Sequence, residues 1–289
     1  MEVKKLVLSL VAASMGVISI PKVVDAEMGS YNTDGYRSPY EVKFTYPIDE
    51  LMSIDNSPPR NDRKLESEVP FEDWYSRRVR KEWGAWGPPP RHYPAHPDYD
   101  RMPVSAKRQR VLAVACSYIG LPYQHHHIPD WDPPRDWPWK QVAYGRNSKG
   151  VDCSDFTSWC YNYGLGIKMS TGIKRQANMT EIEGPGPDRT THAKVIVDDN
   201  GYDNLCKKLK TGDLLYIRNR SGDLAHVIMW VGDVGKSPDG APLIIDCTGE
   251  GHKDSNGADI PIGVHLRPFL KDQWYYKSFD HAHRLLHDE

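Results

Sequence analysis

Val151-Asp152-Cys153-Ser154-Asp155-Phe156-Thr157-Ser158-Trp159-Cys160-Tyr161-Asn162-Tyr163-Gly164 decides how this chain is read. A turn, Ser148-Lys149-Gly150, leads into it, and Phe156, Trp159, Cys160 and Tyr163 recur at helical spacing behind it. The pattern predicts a loop feeding a helix, with Cys153 in the first turn and Asp152 or Ser154 as its cap. Unpaired N–H groups and partial positive charge at a helix start favour a thiolate, the nucleophilic form of cysteine. A lone cysteine on an apolar helix is more often packing than chemistry. Cys153 stands apart because of a histidine-bearing strand further along the chain.

That strand is His226-Val227-Ile228-Met229-Trp230-Val231-Gly232. Leu209 to Ile217 before it reads as a turn and a strand, and Pro242-Leu243-Ile244-Ile245-Asp246-Cys247 after it as another, joined through a Gly235–Gly240 hairpin loop. Val264 to Arg267 and the tail from Trp274 to Leu286 add two more strands. Upstream, Ala106 to Ile119 is periodic in the helical sense and stops at Gly120, and Met169 to Ala177 reads as a turn and a short helix. Helices followed by antiparallel strands make an α+β layer plan. An antiparallel pairing would set His226 and Asp246 side by side. Thiol, imidazole and carboxylate then fall in chain order as nucleophile, base and orienting group, with backbone N–H groups at the helix start for the oxyanion.

The remainder bounds the answer. A formal charge of −2 over 289 residues gives no electrostatic case for nucleic acid or a membrane surface. Lys4 and Lys5, an apolar run from Leu6 to Ile20 and Val24-Asp25-Ala26 form an export signal, with cleavage expected after Ala26. The run is short for a membrane span and no later stretch is apolar enough, so no stable membrane insertion is expected. Residues 27–102 are rich in Pro, Tyr and Arg and poor in aliphatics, which suits either an extended arm packing its aromatics on the next domain or a disordered segment, with one helix over Phe71–Trp83. Residues 103–289 carry the globular patterning. Five cysteines (Cys116, Cys153, Cys160, Cys206, Cys247) leave at least one thiol free or paired between chains. His125-His126-His127 lacks the spacing of a metal set and reads as a polar loop, so no metal or other cofactor is expected. Trp131, Trp137 and Trp139 in the same loop either stack on a sugar or peptide ligand or pack inward.

Taken in order, the motifs resemble those of the NlpC-type papain-like cysteine peptidases, bacterial cell-wall endopeptidases. Tyr118 to Tyr123 looks like the family's Gly-x-Pro-Tyr segment, and Val151 to Phe156 like its Asp-Cys-Ser-Gly-[Phe/Leu] motif. Lys174–Ala177 is similar to its Gln-containing turn, Leu209–Tyr216 to its Leu-x-Pro-Gly-Asp-Leu turn, His226–Gly232 to its histidine strand and Tyr275–Leu285 to its closing strand. The resemblance covers roughly the last 180 residues, one domain's worth. It implies a papain-like fold, helices packed on a central antiparallel sheet, with Cys153 as nucleophile, His226 as base and Tyr123 in the cleft near the thiol. The third polar member, usually histidine in the family, falls at Asp246. Asp152, Ser154, Asp155 and Trp131 complete the expected substrate contacts. Asp155 stands where the family has Gly, Thr211 replaces Pro, and the family's Trp-Gly-Gly after Pro-Tyr is absent. The implied protein is an exported or envelope hydrolase cutting an amide bond of peptidoglycan stem peptides, often D-glutamyl to diamino acid. An amidase or acyltransferase of the same fold, including one acting as a secreted toxin, and a secreted wall- or glycan-binding protein with an idle thiol are the alternatives.

Overall fold

The computed structural model describes residues 35–52, 77–78, 92–123, 151–186 and 188–288. The export signal, His125–His127, Trp131, Trp137 and Trp139 lie outside the described residues, as does the expected Phe71–Trp83 helix apart from residues 77 and 78.

Helix α1 spans Val104–Cys116, and helix α2 spans Cys153–Leu165. Asp152 caps α2: its side chain accepts from the backbone N–H of Ser154 at 3.0 Å and of Asp155 at 2.9 Å. At the other end Gly166 takes a left-handed φ of 71°, which glycine adopts without Cβ strain and which closes the helix. Almost all of α2 is buried, because it packs between α1 and the sheet. Helix α3, Ile173–Asn178, follows, and its Gln176 donates to the carbonyls of Ser154 (3.1 Å) and Ser170 (3.0 Å), bracing the start of α2. Helix α4 runs over Tyr202–Lys208.

The main sheet has six strands: β1 Lys194–Ile196, β2 Leu214–Arg218, β3 Leu224–Trp230, β4 Leu243–Thr248, β5 Gly263–Pro268 and β6 Phe279–Arg284. Their order is β5-β4-β3-β2-β6-β1, and every pairing is antiparallel. Alternation along the strands gives two apolar faces. Val227, Met229, Ile245, Cys247, Val264 and Leu266 pack against Phe156, Trp159 and Cys160 of α2. Ile217, Ile228, Trp230 and Ile244 pack against Leu205, Phe269 and Tyr275 on the opposite side. The α+β plan is therefore the one observed.

Three local readings change. The tail opens not as a strand but as a short helix, α5 Trp274–Lys277, before β6 begins. Gly235-Lys236, read as hairpin loop, is extended and pairs antiparallel with Glu41-Val42, supplying a partner for that stretch of the Pro/Tyr-rich region. Tyr40 and Tyr93 from the same region are buried in the main core. The β3–β4 ladder joins Met229 to Ile245 and Trp230 to Ile244. Continued, that register sets Asp246 opposite Ile228 rather than His226, so the two polar residues are diagonal neighbours on one face. Among the described residues no helix is long and apolar enough to cross a membrane.

Candidate active site

Cys153 is the first residue of α2 and His226 the third of β3, both only 6% exposed. A register shift where β2 meets β3, between Ile217↔His226 and Arg218↔Leu224, marks a bulge beside the histidine. Bulges re-aim the residues next to them. The imidazole meets three groups. It lies close enough to the Cys153 side chain to interact with it electrostatically. Its Nε2 lies 2.6 Å from Asp246 Oδ2. Its face lies near the rings of Trp274 and Tyr275, at centroid distances of 5.8 Å each. With Nε2 taken by the carboxylate, Nδ1 is the nitrogen left for the thiol.

The electrostatics follow from burial and charge. Burial alone would push the His226 pKa down, but the negative charge of Cys153 and the hydrogen bond to Asp246 outweigh it and lift the pKa to about 10. Burial would likewise raise Asp246; the Arg267 guanidinium, with the bonds from His226 and Tyr275, reverses that and holds the carboxyl well below its usual range. Arg267 Nη1 is 2.5 Å from Asp246 Oδ1, and both side chains are fully buried. Tyr275 Oη donates to Asp246 Oδ2 at 2.7 Å.

The other expected contacts divide. Tyr123 bridges to Val151 at the entry to α2, and the charges of Asp152 and Cys153 help burial to raise its phenol pKa. Gly249 abuts its ring: a Cβ there would sit 3.2 Å from Tyr123 Cδ1. Asp152 is a cap, and Ser154 Oγ donates to the Thr171 carbonyl at 2.6 Å, so both are engaged in building the turn. Asp155 is 2% exposed, and its Oδ2 has no hydrogen-bond partner. Burial first, then the charge of Asp152 and a hydrogen bond to it, raise its pKa well above the carboxylate range. Trp131 lies outside the described residues. All five cysteines are free, and among the described residues no group of three His, Cys, Asp or Glu is arranged to hold a metal ion.

Arg267 and Tyr275 were not assigned to this site from sequence. His252 meets it through Tyr275, its Nε2 lying 3.0 Å from the phenol oxygen. His265 is the cross-strand partner of Asp246 but turns edge-on to Tyr36. A signal for Arg267 existed: with Val264 and Leu266 facing the core, period-two alternation puts residue 267 on the face that carries Asp246. No such signal marked Tyr275, which is placed by the turn of α5.

Comparison with known proteins adds the following. Residues 140–236 match the model of the NlpC/P60 family. No curated protein matches the chain. Among solved structures, an NlpC/P60 family protein from Bacillus cereus ATCC 10987 is 19% identical, with a TM-score of 0.37 over 62% of this chain and 40% of that one. The NlpC/p60 domain of the peptidoglycan hydrolase SagA is also 19% identical, with a TM-score of 0.32 over 61% of this chain and 96% of that one. The chain thus spans less than half the length of the first of these proteins. The family that the motifs resemble is the family whose model is matched, over residues 140–236, from just before the Cys153 turn to just past the His226 strand.

Proposed function

We propose that this protein is an exported, papain-like cysteine hydrolase of the cell envelope that cleaves an amide bond in peptidoglycan stem peptides, the D-glutamyl–diamino acid bond being the substrate implied by the family. The domain assignment of the sequence is part of the proposal: signal 1–26, extension 27–102, hydrolase domain 103–289. The observation that carries it is the position of His226 between the Cys153 thiol and the Asp246 carboxylate.

The chemistry follows from that arrangement. His226, raised to about 10, takes the proton of the Cys153 thiol and becomes an imidazolium beside a thiolate. The thiolate attacks the scissile carbonyl carbon, and the carbonyl oxygen takes the negative charge. Asp152 Oδ1 occupies the N–H groups of Ser154 and Asp155, which leaves the N–H of Cys153 outside the cap to hold the oxyanion. His226 gives its proton to the leaving amine as the C–N bond breaks, forming a thioester. The now neutral imidazole takes a proton from water, whose oxygen attacks the thioester and releases the acid and the thiolate. Asp246 holds the ring and stabilises its charged form throughout.

Digestion of purified peptidoglycan, with products identified by mass spectrometry, tests the proposal. The wild-type protein should release cut stem peptides, and Cys153→Ala should release none while melting normally. Full activity in that variant would refute the mechanism. Product masses also separate an endopeptidase from an amidase or an acyltransferase. A binder with an idle thiol would give no products and no selective reaction of iodoacetamide at Cys153.

A further inference from the structure

We infer that Tyr275 is a positioning residue for the proposed hydrolysis: with Arg267 it pins both oxygens of Asp246, and so fixes the His226 ring with Nδ1 towards the thiol. The inference rests on the hydrolase reading and adds to it a role for residues outside the Cys153, His226 and Asp246 set.

The hydrogen bonds permit one arrangement. An ionised Asp246 has no proton to give, so each of its neighbours must donate. Arg267 Nη1 serves Oδ1 at 2.5 Å. His226 Nε2 at 2.6 Å and Tyr275 Oη at 2.7 Å both serve Oδ2. Tyr275 has a single hydroxyl hydrogen, and Asp246 takes it. The 3.0 Å contact between His252 Nε2 and Tyr275 Oη must then be filled by a hydrogen from His252. A directed chain results: His252 donates to Tyr275, Tyr275 to Asp246, and His226 meets Asp246 from the other side.

The anchoring is firm at both ends. Arg267 also donates to the carbonyls of Pro261 at 2.8 Å and His265 at 3.2 Å, tying the carboxylate to the β5 backbone. The Tyr275 ring is fully buried and nearly parallel to the imidazoles of His226 (13°) and His252 (17°). A carboxylate gripped at one oxygen can rotate about its Cβ–Cγ bond and carry the imidazole with it. Gripped at two, it cannot. Groups that lock a reactive side chain in this way act on rate rather than on substrate affinity.

Tyr275→Phe is the test, since it keeps the ring and removes only the hydroxyl. Peptidoglycan-peptide cleavage should lose about tenfold in kcat with KM unchanged, a barrier rise of ~1.4 kcal/mol. Independently of activity, imidazole ¹H–¹⁵N spectra of the wild type should show a downfield Nε2–H for His226, and the variant should show that signal weakened by faster exchange with solvent. A variant with wild-type kcat and an unchanged Nε2–H signal overturns the inference. If the wild-type protein itself cleaves nothing, the hydrolase reading fails, while the spectra alone still decide whether Tyr275 holds the ring. Should Tyr275→Phe not fold, His252→Ala at a half-buried position replaces it: about threefold lower kcat is expected, with the same change in the spectrum, and wild-type values in both overturn the inference.

Discussion

Replacing Asp246 by Asn is the sharpest perturbation of this site, because it changes one atom and its hydrogens. Asp246 Oδ1 faces Arg267 and its Oδ2 faces His226 and Tyr275. Asparagine offers one acceptor oxygen and one NH2, so it must choose. The guanidinium cannot give up its protons, and the oxygen therefore goes to Arg267. The NH2 then points at His226 Nε2, which can meet it only as an acceptor. The proton moves to Nδ1, the nitrogen beside the thiol, and a neutral ring in that tautomer has no lone pair for the thiol proton. Losing a correctly protonated acid–base group costs about 10²- to 10⁴-fold in rate, so kcat on peptidoglycan peptides should fall by that much. Arg267 would also lose its buried counter-charge while keeping a hydrogen bond. The low end of the cost of breaking a buried pair, ~3 kcal/mol, is expected. For a domain of this size that corresponds to a drop in Tm of about 6–12 °C. Calorimetry and cleavage kinetics read the two effects separately. An Asp246→Asn enzyme within threefold of wild-type kcat would refute the tautomer argument, whatever its Tm (about 0.7 kcal/mol is all that such a ratio represents).

Two further predictions concern titration. Cys153→Ala removes the negative charge that does most to raise His226, so burial should pull the ring's pKa down from about 10. A raised histidine stabilises the fold fully below its ordinary value of 6.5, and that stability is lost as pH rises through about 10; in the variant the loss should begin at lower pH. NMR titration of His226 checks it, and an unmoved midpoint would contradict the ion pair. Asp155→Asn should raise Tm at pH 7, because burial and Asp152 raise the Asp155 pKa and ionisation therefore works against folding. The contribution of a raised carboxyl is complete below the usual 3.8 and declines as pH rises, so the gain from Asn should vanish in melts below that pH; a variant less stable than wild type at pH 7 would show that Asp155 is not held as the acid.

Much of this site could be read from the chain because each signal was local. The cap and the aromatic periodicity around Cys153 need only neighbouring residues, and Asp152 does cap α2. The strand of His226 announces itself by an apolar run. What failed was register. Setting His226 directly beside Asp246 assumed a different register, and the observed ladder, continued, runs two residues off it, so the contact is diagonal and is made by two side chains that span the gap. The bulge beside His226 depends on pairing between β2 and β3, which no single strand encodes. Gly235-Lys236 was misread for a similar reason: its partner, Glu41-Val42, lies almost two hundred residues earlier.

The departure at position 246 has a cause that only the fold supplies. The family's usual third member is a histidine, and nothing in Ile244-Ile245-Asp246-Cys247 explains a carboxylate there. Arg267 explains it. A guanidinium with no exposure cannot shed its charge, and an uncompensated buried charge costs several kcal/mol, so the fold needs an anion against it. A histidine at 246 would set a second base of positive character against that cation, with one nitrogen for three donors. Asp246 instead satisfies Arg267 with one oxygen and keeps the other for His226 and Tyr275. Residues 246 and 267 are thus coupled, because a neutral or basic side chain at 246 would leave the buried Arg267 without its counter-charge.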